Sequence, residues 1–307
     1  DCTDYQQQIE FIRSDLKYKD LPPQHPARQF SEDMINNISF ENELLIFHQK
    51  ICVPLTARKW IISILHSAHA GKDAMIMEAK RYYYWCNMAI EIAEVARSCI
   101  KCIENSGTNQ QQPEKLNQGR FPGEIVALDP FEIDGCKKPF LAIIDSYSGF
   151  PWCVVMPDIK TSTIIRHINQ FIDWTNLRPL ILQSDSARQF VSSEYTSWCK
   201  SMNITPQLSS PHHQQANGAV ESSVKLLKRY IIEHNGHLSG EHFRNAMNRF
   251  RNHVSTRVGK SRHEMLFGFP GRCDLPILHT QINPANREEA MMKKIENKWS
   301  SKRSYDK

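Results

Sequence analysis

Two carboxylates stand at positions that suit phosphate chemistry. Asp185 follows the short apolar run Leu180–Ser184, Glu221 opens a helix-patterned segment beyond the loop 209–218, and thirty-five residues lie between the two. One carboxylate at a strand end and another in a helix's first turn can hold two oxygen-ligated Mg²⁺ or Mn²⁺ ions, and a two-metal site suits in-line displacement at phosphorus. Val220, Val224, Leu227 and Ile231 form the apolar stripe of that helix. Glu221, Lys225 and Lys228 repeat the spacing one residue on, which sets two ammonium groups beside a metal-binding carboxylate, where a phosphate backbone would lie. Taken alone, that second stripe reads first as a solvated face with one Glu–Lys pair, since such pairs are common on exposed helices.

A second constellation lies upstream. His66 and His69 are one helical turn apart, and Cys99 and Cys102 follow about thirty residues later. Two imidazoles and two thiols make the donor set of a closed structural Zn²⁺ site. A region this small has a thin core and needs such a staple. A surface His pair with two idle thiols is the plainer alternative.

The elements that must position these groups can be read from periodicity. A polar segment over residues 1–40, broken by Pro22, Pro23 and Pro26, reads as an appendage with room for a short helix over 4–15. A hairpin is expected from 43–48 and 50–53, then a helix over 55–70 with Trp60, Ile61, Ile64, Leu65 and Ala68 on its inner face. Helices over 74–81 and 90–97 complete a zinc-binding unit at 41–106. The low-apolar stretch 107–122 is the expected linker. Beyond it, over 123–278, come strands at 125–129, 139–144 and 152–156, a helix at 161–174, a strand at 180–183, a helix at 193–202 and a strand at 204–208. Three meander strands followed by alternating strands and helices give the order of a ribonuclease H-like α/β fold. A further helix is expected over 241–254, and 279–307 reads as a basic tail.

Composition limits the partners. The formal net charge is +5, yet residues 222–262 alone carry nine Lys or Arg against two acids. A basic segment directly after Glu221 suits a polyanion. The longest apolar runs are too short to span a bilayer, and no signal-peptide pattern opens the chain, so a membrane partner is not expected. Nine cysteines without a secretory signal are expected to be reduced, with Cys52, Cys136, Cys153, Cys199 and Cys273 in apolar surroundings. The chain begins without Met and is expected to be a piece of something longer.

Ser184-Asp185, Gln189-Phe190, Ser210-Pro211-His212, Asn217-Gly218 and Glu221 together resemble the catalytic core of retroviral and LTR-retrotransposon integrases. Leu65-His66, His69-Ala70-Gly71, Tyr84-Trp85, Met88 and Cys99 to Cys102 resemble the His-His-Cys-Cys domain that precedes that core, in gypsy-like elements particularly. Ser186-Ala187 stands where the family has Asn-Gly, His212-His213-Gln214 where it has Tyr-His-Pro, and no Pro follows Trp85. The resemblance runs over roughly residues 48–276 and spares every carboxylate and zinc ligand.

The resemblance implies the rest. Asp129, ending the first strand, corresponds to the family's first Asp; Asp134 and Asp145 are weaker candidates for that place. The expected enzyme is a polynucleotidyl transferase that processes and joins element DNA to target DNA, with Asp129, Asp185 and Glu221 holding Mg²⁺ or Mn²⁺. Asn217, Lys225 and Lys228 would touch the DNA end, the chain would work on double-stranded DNA as a homo-oligomer, and its place of action would be intracellular and nuclear. A domesticated, inactive DNA-binding descendant is the alternative reading; a ribonuclease H or exonuclease shares the fold but leaves the His-His-Cys-Cys block unexplained. With no strand pattern after Pro276, the barrel that follows the core in the family is expected to be missing, and paired insertion of two ends to be inefficient.

Overall fold

The computed structural model describes residues 3–14, 16–67, 69, 71–105, 119–208, 218–233, 241–255, 258–278 and 281. In chain order the elements of the first half are α1 (Thr3–Arg13), α2 (Glu32–Ile35), β1 (Ile38–Glu41), β2 (Leu44–Phe47), β3 (Lys50–Cys52), α3 (Leu55–His66), α4 (Lys72–Tyr82), β4 (Tyr83–Tyr84), α5 (Met88–Ser98) and α6 (Ile100–Asn105). Those of the second are β5 (Ile125–Phe131), β6 (Phe140–Asp145), β7 (Pro151–Val155), α7 (Thr161–Thr175), β8 (Ile181–Ser184), α8 (Ser193–Ser201), β9 (Thr205–Leu208), α9 (Gly218–Glu233), α10 (Glu241–Asn252) and α11 (Arg262–Phe267). Among the described residues no helix is long and apolar enough to cross a membrane.

The larger sheet has the order β7-β6-β5-β8-β9, with β5, β6 and β7 antiparallel and β8 and β9 parallel to β5. This is the mixed five-stranded sheet expected of a ribonuclease H-like core. Side chains alternate between the two faces of a strand, so β5 sorts its residues by period two. Val126 and Leu128 pack with Ile164, Ile168 and Phe171 of α7 and Tyr195 and Cys199 of α8. Ala127 and Phe131 pack on the opposite side with Val224, Leu227 and Ile231 of α9 and Met247 and Phe250 of α10. Asp129, between Ala127 and Phe131 in that alternation, therefore faces α9. β6 is buried at every residue because helices cover both faces.

The smaller sheet has the order β1-β2-β3-β4. The expected hairpin is present as β2 and β3, but it is extended on one side by β1 and on the other by β4, which pairs parallel to β3. The expected appendage is packed as well. Tyr5 and Ile9 of α1 join Phe30, Ile38, Leu45 and Cys52 in one cluster, and the Tyr5 hydroxyl accepts the Leu45 N–H at 2.8 Å. On the other face of this sheet, Ile46, Ile51, Ile61, Leu65, Met75, Tyr83 and Ile92 form the core around α3, α4 and α5. Trp60, expected inside, is 54% exposed, and Arg58, Ile61, Ile62 and Leu65 make the buried face of α3 instead. The described cysteines are all free thiols; Cys52 and Cys199 are buried, whereas Cys136, Cys153 and Cys273 are half-buried.

The two halves are joined by charge as well as by apolar contact. Arg249 on α10 donates to both carboxylate oxygens of Glu78 on α4 at 2.9 Å, each side chain being 1% exposed. His253 Nδ1 lies 3.2 Å from Glu78 Oε2. Arg81 makes a second two-pronged pair with Glu264 of α11, at 2.8 Å for each bond. Residues expected at the end of the catalytic core close over the first half: Leu275 is buried in its core, with Cys273, Ile277 and Leu278 against it, and the Tyr83 hydroxyl donates to the Pro276 carbonyl at 2.8 Å.

Burial alone would push the Glu78 carboxyl up, but the Arg249 guanidinium and His253 outweigh it and hold it below the usual carboxylate range. Removing one partner of such a buried pair strands the other, so Glu78→Ala is expected to cost about 3–5 kcal/mol in denaturant unfolding. The double replacement of Glu78 by Leu and Arg249 by Met should recover most of that loss. A depressed carboxylate stabilises the fold above its unfolded pKa, near 4.3, and ceases to do so as pH falls through its lowered folded value. The stability gap between parent and Glu78→Gln should therefore close in that acid range; a gap that persisted there would refute the assignment.

Candidate functional site

The zinc ligands meet where α3 ends and α6 begins. His66 is the last residue of α3, and His69 follows in a left-handed backbone conformation (φ 45°), its N–H donating to the His66 carbonyl at 2.8 Å. That tight turn brings the two rings to 4.6 Å between centroids. Gly71 leaves the turn at φ 85° and ψ 163°, a region open in practice to glycine alone. Cys99 caps α5, and Cys102 sits buried in the short α6. All four ligand atoms lie within 4.8 Å of one another. The individual spacings are 3.4 Å from Cys99 Sγ to His69 Nδ1, 3.3 Å from Cys102 Sγ to His66 Nε2 and 3.7 Å from Cys102 Sγ to His69 Nδ1. A tetrahedron with Zn–S of about 2.3 Å and Zn–N of about 2.05 Å sets sulfur and nitrogen about 3.6 Å apart, so the four side chains fit Zn²⁺ with little movement.

The local electrostatics agree with that donor set. Burial lowers the His66 pKa, which favours the neutral imidazole that a metal ligand must be. Burial first, and the neighbouring Cys99 second, push the Cys102 thiol up to about 11. A thiol so reluctant to ionise becomes a thiolate when a cation is present to compensate, and metal binding releases its proton.

Two of the expected carboxylates come from adjacent strands of the larger sheet. β5 and β8 pair in parallel, with Ala127 opposite Gln183. Asp129 and Asp185 each lie two residues beyond that pair, at the same level of adjacent strands; Asp129 does not end its strand as expected, because pairing with β6 carries β5 on to Phe131, whereas Asp185 lies just past the end of β8. The period-two alternation of β5 turns Asp129 toward the α9 side, while Asp185 opens the loop that follows β8. Asp185 is exposed, and its Oδ1 accepts the Ala187 N–H at 3.2 Å, while Ala187 packs against the core of the α7 side. Ser186-Ala187 thus keeps the turn that holds Asp185. Asp129 Oδ2 lies 3.1 Å from Lys228 Nζ, both side chains being 38% exposed, and the ammonium sits 4.7 Å from the centre of the Phe131 ring.

The other expected residues divide by place. Lys225 is exposed on α9. Glu221 lies in the first turn of α9, with its side chain outside the described residues, as are Asn217 and the whole loop 209–217. Asp134 is exposed in its turn. Asp145 is fully buried, and its carboxylate accepts the N–H groups of Gly123 and Ser148 at 2.8 Å each, a structural duty that leaves no room for a metal. The pairing of Lys228 with Asp129 was not anticipated from sequence. Its signals are there: Phe131 is two residues after Asp129 on the same strand face, and Lys228 is two helical turns after Glu221.

A ribonuclease H-like mixed sheet with Asp129 and Asp185 at the same level of adjacent parallel strands, behind a His-His-Cys-Cys cluster, defines the class of an α/β core preceded by a zinc-binding domain. Residues 120–214 match the family model of the integrase core domain, and residues 53–108 that of the integrase zinc binding domain. The Pro-Pol polyprotein of simian foamy virus type 3 (strain LK3) is 28% identical over 195 residues, covering 60% of this chain and 16% of the polyprotein. That of feline foamy virus is 24% identical over 302 residues, covering 93% of this chain and 25% of the polyprotein. The chain thus spans a quarter or less of the curated relatives it matches. A chain of the simian T-cell lymphotropic virus intasome in complex with PP2A regulatory subunit B56 gamma overlays with a TM-score of 0.44 at 20% identity, over 71% of this chain and 77% of that one. The chain thus carries, in this order, a region similar to the integrase zinc binding domain and a region similar to the integrase core domain, and its relatives include Pol polyproteins of foamy viruses.

Protein purified under reducing conditions is expected to carry one zinc per chain, and His69→Ala or Cys102→Ser to lose it, as metal analysis would show. A strong chelator should lower the melting temperature of the parent and leave that of Cys102→Ser unchanged. A metal-free parent would remove the zinc assignment.

Proposed function

We propose that the chain is a DNA integrase of the LTR-retrotransposon type, a polynucleotidyl transferase that trims element DNA ends and joins them to target DNA. The observation that carries this reading is the placement of Asp129 and Asp185 at the same level of adjacent parallel strands, with Asp129 on the side of the helix whose first turn holds Glu221. Oxygen-only donors of this kind suit Mg²⁺ or Mn²⁺ better than zinc. The donor chemistry of the two described carboxylates fits such ions. When bound, the ions would polarise phosphate oxygens and favour attack by water or a 3′-hydroxyl.

The chain's own residues supply position and charge. Asp129 projects from a strand paired on both sides, a rigid mount for a ligand. Asp185 is steadied by the Ala187 N–H. Lys225 and Lys228 offer ammonium groups to the phosphates of the DNA end, and Asn217 a polar contact to its last nucleotides. The partner is double-stranded DNA, the working form a homo-oligomer, and the place of action the nucleus. Zinc plays a structural part and stays out of the chemistry, because its four-ligand set leaves no open position.

An oligonucleotide disintegration or strand-transfer assay tests this reading. Loss of a direct ligand exceeds the loss seen for outer partners, so Asp185→Asn and Glu221→Gln should each reduce turnover by more than about 100-fold. DNA affinity should hold in both. Lys225→Ala should weaken binding to DNA of any sequence and reduce the salt dependence of binding by about one unit of slope. Near-parental turnover in Asp185→Asn would overturn the proposal.

A further inference from the structure

Lys228 faces two ways. It stands among the cations suited to a DNA phosphate, yet its Nζ lies 3.1 Å from Asp129 Oδ2, on the carboxylate that the reading above assigns to the metal. The contact is held from a second side, since the ammonium sits 4.7 Å from the centre of the Phe131 ring and draws on its electron-rich face. Asp129 and Phe131 lie two apart on β5 and so share a strand face, while Lys228 reaches them from α9. The pair joins the sheet to the catalytic helix. Asp185 has no equivalent cation in its described contact, which is the Ala187 N–H.

A divalent cation and an ammonium group compete for the same carboxylate oxygen, and each repels the other at such range. Lysine is suited to leave. Its charge is carried on a flexible four-carbon stem, and at 38% exposure the head group can reach solvent without a large desolvation penalty. A DNA phosphate beside the loaded site offers it a new partner of the same sign as the one it gave up.

We propose that Lys228 is the exchangeable counter-ion of Asp129, a positioning residue that holds the carboxylate before loading, yields to the divalent cation and then turns to a DNA phosphate. The proposal rests on Asp129 being a metal ligand. Its consequence is a coupling: whatever draws Lys228 away from Asp129 helps the metal, and metal binding frees Lys228 for DNA. Such coupling is reciprocal by thermodynamic necessity. Metal and DNA should therefore bind cooperatively through one side chain, before any chemistry occurs.

The test uses the full, zinc-loaded chain and Mn²⁺ as probe, with the free ion read by electron paramagnetic resonance. In the absence of DNA, Lys228→Met should bind Mn²⁺ about two- to fivefold more tightly than the parent, the factor that release of a half-exposed ion pair corresponds to. Lys228→Arg, which keeps the charge, should match the parent. Adding a short DNA duplex should tighten Mn²⁺ binding in the parent more than in Lys228→Met, so that the two converge. A merely structural lysine would lower the melting temperature of Lys228→Met without tightening metal binding. An affinity in Lys228→Met equal to or weaker than that of the parent would overturn the proposal. Asp129→Asn and Asp185→Asn separate the two levels of the argument. If both bind Mn²⁺ like the parent, the metal-site reading itself fails; if both lose it while Lys228→Met is unchanged, the counter-ion role alone is wrong.

Discussion

The rest of the molecule depends on a pair of charges that water never reaches. Glu78 and Arg249 are each 1% exposed, and their two parallel bonds tie the helix that leaves the zinc ligands to the helix that backs the catalytic one. Such a pair is a poor source of net stability, because stripping water from both ions costs nearly as much as their attraction returns. What it gives is selectivity of arrangement. An apolar contact tolerates sliding, whereas a bidentate Arg–carboxylate bond fits one register and penalises every other. The Arg81–Glu264 pair repeats the device a turn of helix away, so the orientation of α4 against the second half is specified twice.

From that fixed frame the placement of the strand carboxylates follows by simple rules of strand geometry. Alternation on β5 decides that Asp129 faces α9, and the parallel register with β8 brings Asp185 to the same end. The capping turn after β8 is held by a backbone N–H, so it asks little of the residue types at 186 and 187. This explains how Ser186-Ala187 can stand where relatives carry Asn-Gly while the carboxylate keeps its place. The buried Asp145 gives the contrast. It stands on a neighbouring strand, but it spends its oxygens on the loop N–H groups of Gly123 and Ser148.

Much of this was legible in the sequence wherever the signal was local. Strand and helix periods predict the five strands of the larger sheet and the helices between them, because each element buries a regular face. The four zinc ligands were legible from donor type and spacing. What escaped was written in pairs of distant residues. β4 is two residues long and exists only because β3 lies beside it, so no period marks it. Arg249 falls in a helix rich in arginine and reads as solvent-facing, since nothing near it betrays a partner 171 residues earlier. Trp60 turns outward because Ile62 and Arg58 take the inner face, a choice made by packing that hydrophobicity alone does not predict.

The buried Leu275 sets an order of events in the cell. The apolar core around α3, α4 and α5 is translated early, yet the side chain that completes it, and the carbonyl of Pro276 that takes the Tyr83 hydroxyl, arrive about 180 residues later. At 5–20 residues per second a ribosome needs roughly 10–40 s for that stretch. Throughout this wait Glu78 has no guanidinium and the core has an open side. A zinc ion held by residues 66–102 needs no ligand that has yet to be synthesised. The early half thus has a complete ligand set of its own, whereas its apolar core is completed only by the late half.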